Sequence, residues 1–193
     1  MHLQDSTETK LYVEKTIPDH CFSLSKILKS SDREEVAIMG SDPLFSMLAS
    51  FRYKHRKVQS YTVMSDSKPV AMFGVLPTKI NPKYGSIWFL SSEMSPQQWA
   101  YFTKRSKKWL KYLVSDFECV FNLIPKHNKR TIKWLKWLGF EFKQEELVVQ
   151  DVQMLYFYQY IHGVYKNIQP ILEDIGPVWA TESKLERTTV YTT

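Results

Sequence analysis

The spacing of apolar residues along this chain switches between a two-residue and a helical period, and the switches lay out its elements. Leu11, Val13 and the run from Glu14 to Ile17 read as a first strand that Pro18 ends. Asp19 is placed to cap a short helix reaching Leu28. Ser31 and Glu34 have capping-box spacing ahead of Val36, Ile38 and Met39, with Gly40 as the stop. Ser41 precedes Pro43, which suits a first helical turn, and Leu44, Leu48 and Phe51 form the stripe of a third helix. Tyr61–Met64 and Val70–Val75 read as strands of a hairpin, because Ser65-Asp66-Ser67-Lys68 between them is rich in turn formers. Pro77, Pro82 and Gly85 mark a loop. Ser86–Ser92 follows as a fourth strand, bulky on both faces as a central strand is.

The second half is patterned more strongly. Ser95 caps a helix, Pro96 occupies its first turn, and Gln98 completes a capping box. Trp99, Phe102, Ser106, Trp109, Leu110 and Leu113 line one face of that helix; Lys104, Lys107, Lys108 and Lys111 line the other. This is the pattern of a helix lying on a sheet. A basic helix entering a nucleic-acid groove is the sharper alternative, and no known reading motif accompanies it. The stretch from Phe117 to Phe142 is the clearest of all: an apolar strand, a loop, an amphipathic helix and another strand. Asn128 caps the helix, Ile132, Leu135 and Leu138 face inward, and Gly139 ends it. Lys129, Arg130, Lys133 and Lys136 are left for solvent. Glu146–Gln150, a turn at Asp151 and Gln153–Ile161 form a last hairpin, with Met154–Tyr158 apolar enough for an interior strand. Beyond His162 the breakers Gly163, Pro170, Gly176 and Pro177 recur and the end turns polar. The division expected is one domain over 1–164 and an arm or tail over 165–193. Ile168, Ile171, Trp179, Val190 and Tyr191 are the candidate anchors of that arm on a partner.

Composition narrows the picture. A chain of 193 residues with 44% hydrophobic and 15% aromatic content builds one real core, rich in large rings. No apolar window is long enough to span a membrane, and MHLQDSTETK lacks an apolar secretory region. Cys21 and Cys119 read as buried thiols, and the five histidines show no metal-ligand spacing. The net charge of +6 points to a soluble basic surface or to an acidic partner, nucleic acid included. Arg52, Lys54, Arg56 and Lys57 form the densest cluster. They read as a phosphate grip or as cations solvating a helix end. The lysines at 104, 107, 108 and 111 are the other basic-patch candidates.

Asn128-x-x-Thr131-Ile132-x-x-Leu135-x-x-Leu138-Gly139-Phe140 resembles the closing motif of the GNAT acetyltransferases. From Ile87 to Phe142, including Trp88-Phe89-Leu90-Ser91-Ser92 and the long basic helix, the chain resembles more closely the internal virion protein A family of short-tailed podophages, which has a GNAT-like domain. The resemblance implies an α+β fold with a mixed, mostly antiparallel central sheet flanked by helices. It also implies where acetyl-CoA would bind: a Gln/Arg-x-x-Gly-x-Gly/Ala turn after the fourth strand, whose N–H groups hold the diphosphate. Here that stretch is Ser91–Gln98, without glycine, with Pro96 lacking an N–H and Glu93 bringing negative charge. The tyrosine acid that many members carry seven residues after the Asn is Leu135. Tyr156 and Tyr158 are the possible substitutes, and Glu93 is an available carboxylate in the wrong neighbourhood.

These departures set the expectation: a non-enzymatic phage virion or morphogenesis protein, made in the host bacterial cytoplasm and carried in the virion. It would bind other virion proteins through its arm, with no cofactor, no metal, no catalytic residue and no small-molecule substrate, and with Asn128 serving as a cap. The alternatives are an active N-acetyltransferase using acetyl-CoA and a basic nucleic-acid-binding protein.

Overall fold

The computed structural model describes residues 10–79 and 81–161; the expected arm and its anchors, Ile168, Ile171, Trp179, Val190 and Tyr191, lie outside them. The chain order is β1 (Leu11–Lys15), α1 (Pro18–Ile27), α2 (Ser30–Ile38), α3 (Pro43–Arg52), β2 (Gln59–Ser65), β3 (Lys68–Pro77), β4 (Tyr84–Ser91), α4 (Pro96–Val114), β5 (Cys119–Pro125), α5 (Lys129–Leu138), β6 (Glu141–Val149) and β7 (Val152–Tyr160). The strands form one sheet in the order β1-β2-β3-β4-β5-β7-β6. Every pairing is antiparallel except β4 with β5. The expected mixed, mostly antiparallel α+β fold is what the chain adopts.

Alternation along the strands divides the core between two faces. Phe73, Val75, Val120 and Ile124 meet Phe102, Leu110 and Leu113 of α4 and Ile132, Leu135 and Leu138 of α5. Met72 and Leu90 meet Cys21 and Leu24 of α1 and Met47 of α3 on the other side. The α4 side is built from rings: Phe89 lies 4.7 Å from Phe102, and Trp99 lies 5.7 Å from Trp134. Such pairs add about 0.5–1.5 kcal/mol each beyond the area they bury.

Local signals hold where they are strongest. Ser95 and Gln98 form a reciprocal capping box, Asn128 Oδ1 accepts from the Thr131 N–H, and Gly139 takes φ 97° at the end of α5. Asp66 and Ser67 take positive φ in the β2–β3 hairpin, and Gln150 and Asp151 do so between β6 and β7. Others are corrected. Pro18 opens α1 rather than only closing β1. The N-cap is Ile17, and the His20 ring nitrogen, not Asp19, accepts the Ile17 N–H. α2 begins at Ser30 with Lys29 as N-cap, so Ser31 and Glu34 form no capping box. In α3 the cap is Asp42 and the buried side centres on Met47, leaving Phe51 exposed.

One glycine is dictated by close approach. A Cβ on Gly74 would collide with the Gln59 carbonyl oxygen and would stand 2.9 Å from the Trp88 ring. Gly74→Ala must therefore push β2 or the indole aside. We expect it to lower stability by about 2 kcal/mol, measured by denaturant unfolding; an unchanged midpoint would show that the sheet yields there without cost.

Candidate functional site

The site begins where a ladder stops. β4 and β5 pair only at Tyr84–Cys119, Gly85–Val120 and Ser86–Phe121, after which the strands part. The edge of β4 then needs other partners for its backbone groups. Asn122 of β5 reaches across, its Nδ2–H donating to the Ile87 carbonyl at 2.7 Å, while its Oδ1 accepts the Leu123 N–H at 2.8 Å. Farther along, Asp32 of α2 accepts the Ser91 N–H at 2.8 Å, and the Lys29 N–H donates to the Ser91 carbonyl at 3.0 Å. Strand alternation points the backbone groups of Phe89, midway between these, to the same open edge.

A cavity of about 140 Å³ occupies the gap. Its walls come from both helical layers: Glu35, Met39 and Ser46 on one side, and Phe102, Trp134 and Leu135 on the other, with Ile87, Phe89 and Asn122 between. The walls are mainly apolar, so the few polar groups there carry weight.

Two carboxylates of α2 stand at this cavity. Asp32 is buried, and Lys29 Nζ lies 3.1 Å from its Oδ1. Burial raises its pKa in spite of that lysine and the Ser91 N–H. Glu35 is half-buried and accepts a hydrogen bond from Asn128 Nδ2. Burial pushes its pKa up to about 7; the Asn128 bond pulls it down and the Asp32 charge pushes it further up. A carboxyl poised near neutrality in a cleft suits proton transfer. Asn128 is thus more than a cap: one end of its amide starts α5 while the other orients Glu35. Glu35 went unnoticed in the sequence because it reads as one more polar residue of a solvated helix face.

The other candidates are placed plainly. Leu135 is buried, and neither Tyr156 nor Tyr158 lines the cavity; Tyr158 donates to Glu141 at 3.2 Å instead. Glu93 is exposed and off the cavity. Burial raises the Cys21 thiol to about 11 and Cys119 to about 12, so neither is an activated nucleophile. Among the described residues, no three His, Cys, Asp or Glu gather as metal ligands, and no helix is long and apolar enough to cross a membrane. Arg52 folds back onto the Phe45 ring and carbonyl, and Lys57 Nζ donates to the Asp116 and Pro82 carbonyls at 2.6 and 3.1 Å. That leaves Lys54 and Arg56 of the first basic cluster facing solvent, while Lys104, Lys107, Lys108 and Lys111 are exposed on α4.

The turn after β4 does not fit a diphosphate. The Ser91 and Ser92 N–H groups are bound to Asp32 and the Val70 carbonyl. Those of Ser95 and Gln98 are bound within the capping box, and Pro96 has none. A phosphate reaching for those hydrogens would have to displace these partners, which leaves it the N–H groups of Glu93, Met94 and Gln97.

No family model and no curated protein matches the chain. Solved structures do. An acetyltransferase of Thermus thermophilus is 11% identical, covering 78% of this chain and 97% of that one at TM-score 0.55. An aminoglycoside acetyltransferase solved with coenzyme A is 17% identical, with 78% and 95% covered at TM-score 0.54. The ribosomal-protein alanine N-acetyltransferase of Escherichia coli is 8% identical, with 83% and 99% covered at TM-score 0.57. The fold is that of the GNAT acetyltransferases. These neighbours lend no support to the virion part of the resemblance.

Glu35 gives a test of its environment. Its pKa is raised in the folded chain, so its contribution to stability is whole below about 4.5 and is lost as pH rises through about 7. Glu35→Gln keeps an acceptor for Asn128 and removes the charge. We expect it to be more stable than the parent by roughly 1–3 kcal/mol at pH 8, with the gap closing towards pH 4.5. Denaturant unfolding across that range reads it, and a gap independent of pH would mean that Glu35 ionises freely.

Proposed function

We propose that this chain is an acyltransferase acting on amines, built on the GNAT frame, with Glu35 as its base. The observation that carries the reading is the Glu35 carboxyl, held by Asn128 on the wall of the cavity between β4 and β5 and titrating near neutrality. Acyl transfer from a thioester to an amine forms a C–N bond and breaks the C–S bond; the nitrogen gives its proton to a nearby carboxylate, and the thiolate leaves and takes its proton from solvent. Above pH 7 Glu35 is in the charged form needed to accept. The open edge of β4 at Phe89 supports binding of an extended acyl arm, and the aromatic walls keep water from it. Coenzyme A is the ligand of the aminoglycoside acetyltransferase neighbour. The capped start of α4 does not fit its diphosphate, so no step here is assigned to it.

That same capped start favours a second reading, the one the sequence first suggested: a non-enzymatic virion or morphogenesis protein that kept the frame and binds other virion proteins. Calorimetry separates the two. Acetyl-CoA is titrated beside S-acetyl-pantetheine, which has the arm and lacks the nucleotide diphosphate. The acyltransferase reading expects the short thioester to bind and to acylate a polyamine at a rate that rises through about pH 7 and falls at least about 100-fold in Glu35→Gln. No binding of either thioester leaves the second reading, checked by whether the protein co-purifies with phage particles. Binding of acetyl-CoA much tighter than the short thioester would show that the α4 turn opens to phosphate after all.

A further inference from the structure

Charge on this molecule is divided by layer. α4 carries Lys104, Arg105, Lys107, Lys108 and Lys111 and no acidic residue. α5 carries Lys129, Arg130, Lys133 and Lys136, again with no acid. Together they hold more positive charge than the whole chain's net +6, so the remainder is net acidic. All of these side chains are exposed. Among the described residues the ion pairs are His20–Glu14, Lys29–Asp32 and Lys83–Glu118, and none involves α4 or α5. The two helices lie side by side, joined by the Trp134 indole N–H donating to Ser106 Oγ at 3.3 Å.

Rings are set among the cations. Trp137 of α5 is 50% exposed, with Lys107 of α4 4.3 Å from its ring, and Tyr112 at the other margin of α4 is 55% exposed. Arg105 lies over Tyr101 at 3.9 Å, and Arg130 over Trp99 at 4.7 Å. A solvated helix face has no need for an exposed indole at its centre. Cations for phosphates beside ring faces for bases are what an unpaired nucleotide strand requires.

We propose that the α4–α5 face binds single-stranded nucleic acid, its lysines and arginines tracking the phosphates and Trp137 stacking on a base. This surface is separate from the β4–β5 cavity and does not depend on the acyltransferase reading.

The test is fluorescence anisotropy with a labelled oligothymidylate of about 20 nucleotides, run from about 50 to 200 mM NaCl, with a duplex of equal length and polyglutamate beside it. We expect log K to fall with log salt at a slope of about −2 or steeper, as for three or more phosphates at roughly −0.7 each. The triple reversal Lys104→Glu, Lys108→Glu, Lys133→Glu should flatten the slope and weaken binding at least about 10-fold. Trp137→Ala should weaken binding several-fold while leaving the slope in place, since it removes stacking and no charge. Reversal of Lys54 and Arg56, off this face, should change little. Circular dichroism confirms that each variant is folded, and the part of the tryptophan quenching on binding that Trp137→Ala removes reads the stacking at Trp137 among the six tryptophans. No binding at about 50 mM salt, equal binding of polyglutamate, tighter binding of the duplex, or an unchanged slope in the triple variant would each overturn the proposal.

Discussion

The parting of β4 from β5 after three paired residues governs the rest of this structure. A parallel ladder that continued would satisfy the edge of β4 and leave no cavity. Because it stops, the far edge of β4 beyond Ser86 needs other partners: Asn122 meets the Ile87 carbonyl, Asp32 and the Lys29 N–H meet Ser91, and the Phe89 groups stay at the open edge. α2 is drawn to the gap by the second of these contacts, and with it comes Glu35. The large rings of α4 and α5 then serve two purposes, closing the core and making the gap apolar.

That apolar wall sets the chemistry of the two α2 carboxylates. Both lose hydration, and both have raised pKa values for that first reason. They differ in compensation. Asp32 has the Lys29 ammonium and the Ser91 N–H, so it is anchored as a structural acceptor. Glu35 has one neutral donor, the Asn128 amide, and the Lys29 charge that favours its anion is opposed by the like charges of Asp32 and Glu34. A group supported so weakly as an anion holds its proton to near neutrality, and this is the property a base requires at working pH. Within one turn of helix the two carboxylates thus differ in the donors that each meets.

What could be read from the sequence follows from the range of each interaction. Ser95–Gln98, Asn128–Thr131, Gly139 and the two hairpin turns are decided within a few residues, and they stand as expected. Pro18 was ambiguous because proline both ends strands and opens helices, and a histidine in the capping role has no common sequence signature. Glu34 drew attention through its spacing from Ser31, yet the neighbour that matters is Glu35, whose environment depends on Asn128, 93 positions away. Asp32 depends on Ser91 at a separation of 59. No local pattern announces such contacts. The fold class was legible because strand and helix periods are local; the site was not, because it is assembled from the far sides of a sheet.

The missing glycine turn gains meaning from the hydrogen bonds that stand in its place. The first N–H groups of a helix can be satisfied by a side-chain cap or by an anion, and the same hydrogens cannot serve both fully. At α4 the Ser95–Gln98 box and Pro96 commit the helix start to its own chain, and Asp32 commits the end of β4. The positive charge of α4 sits instead farther along its outer face, beside the cations of α5. A capping signal strong enough to be read from sequence is therefore evidence about ligands as well as about helices: it marks a terminus some of whose polar hydrogens are already taken. For a phosphate, the cations of this open helical face offer contacts that are salt-dependent and tolerant of shape, unlike a backbone cradle cut to one ligand.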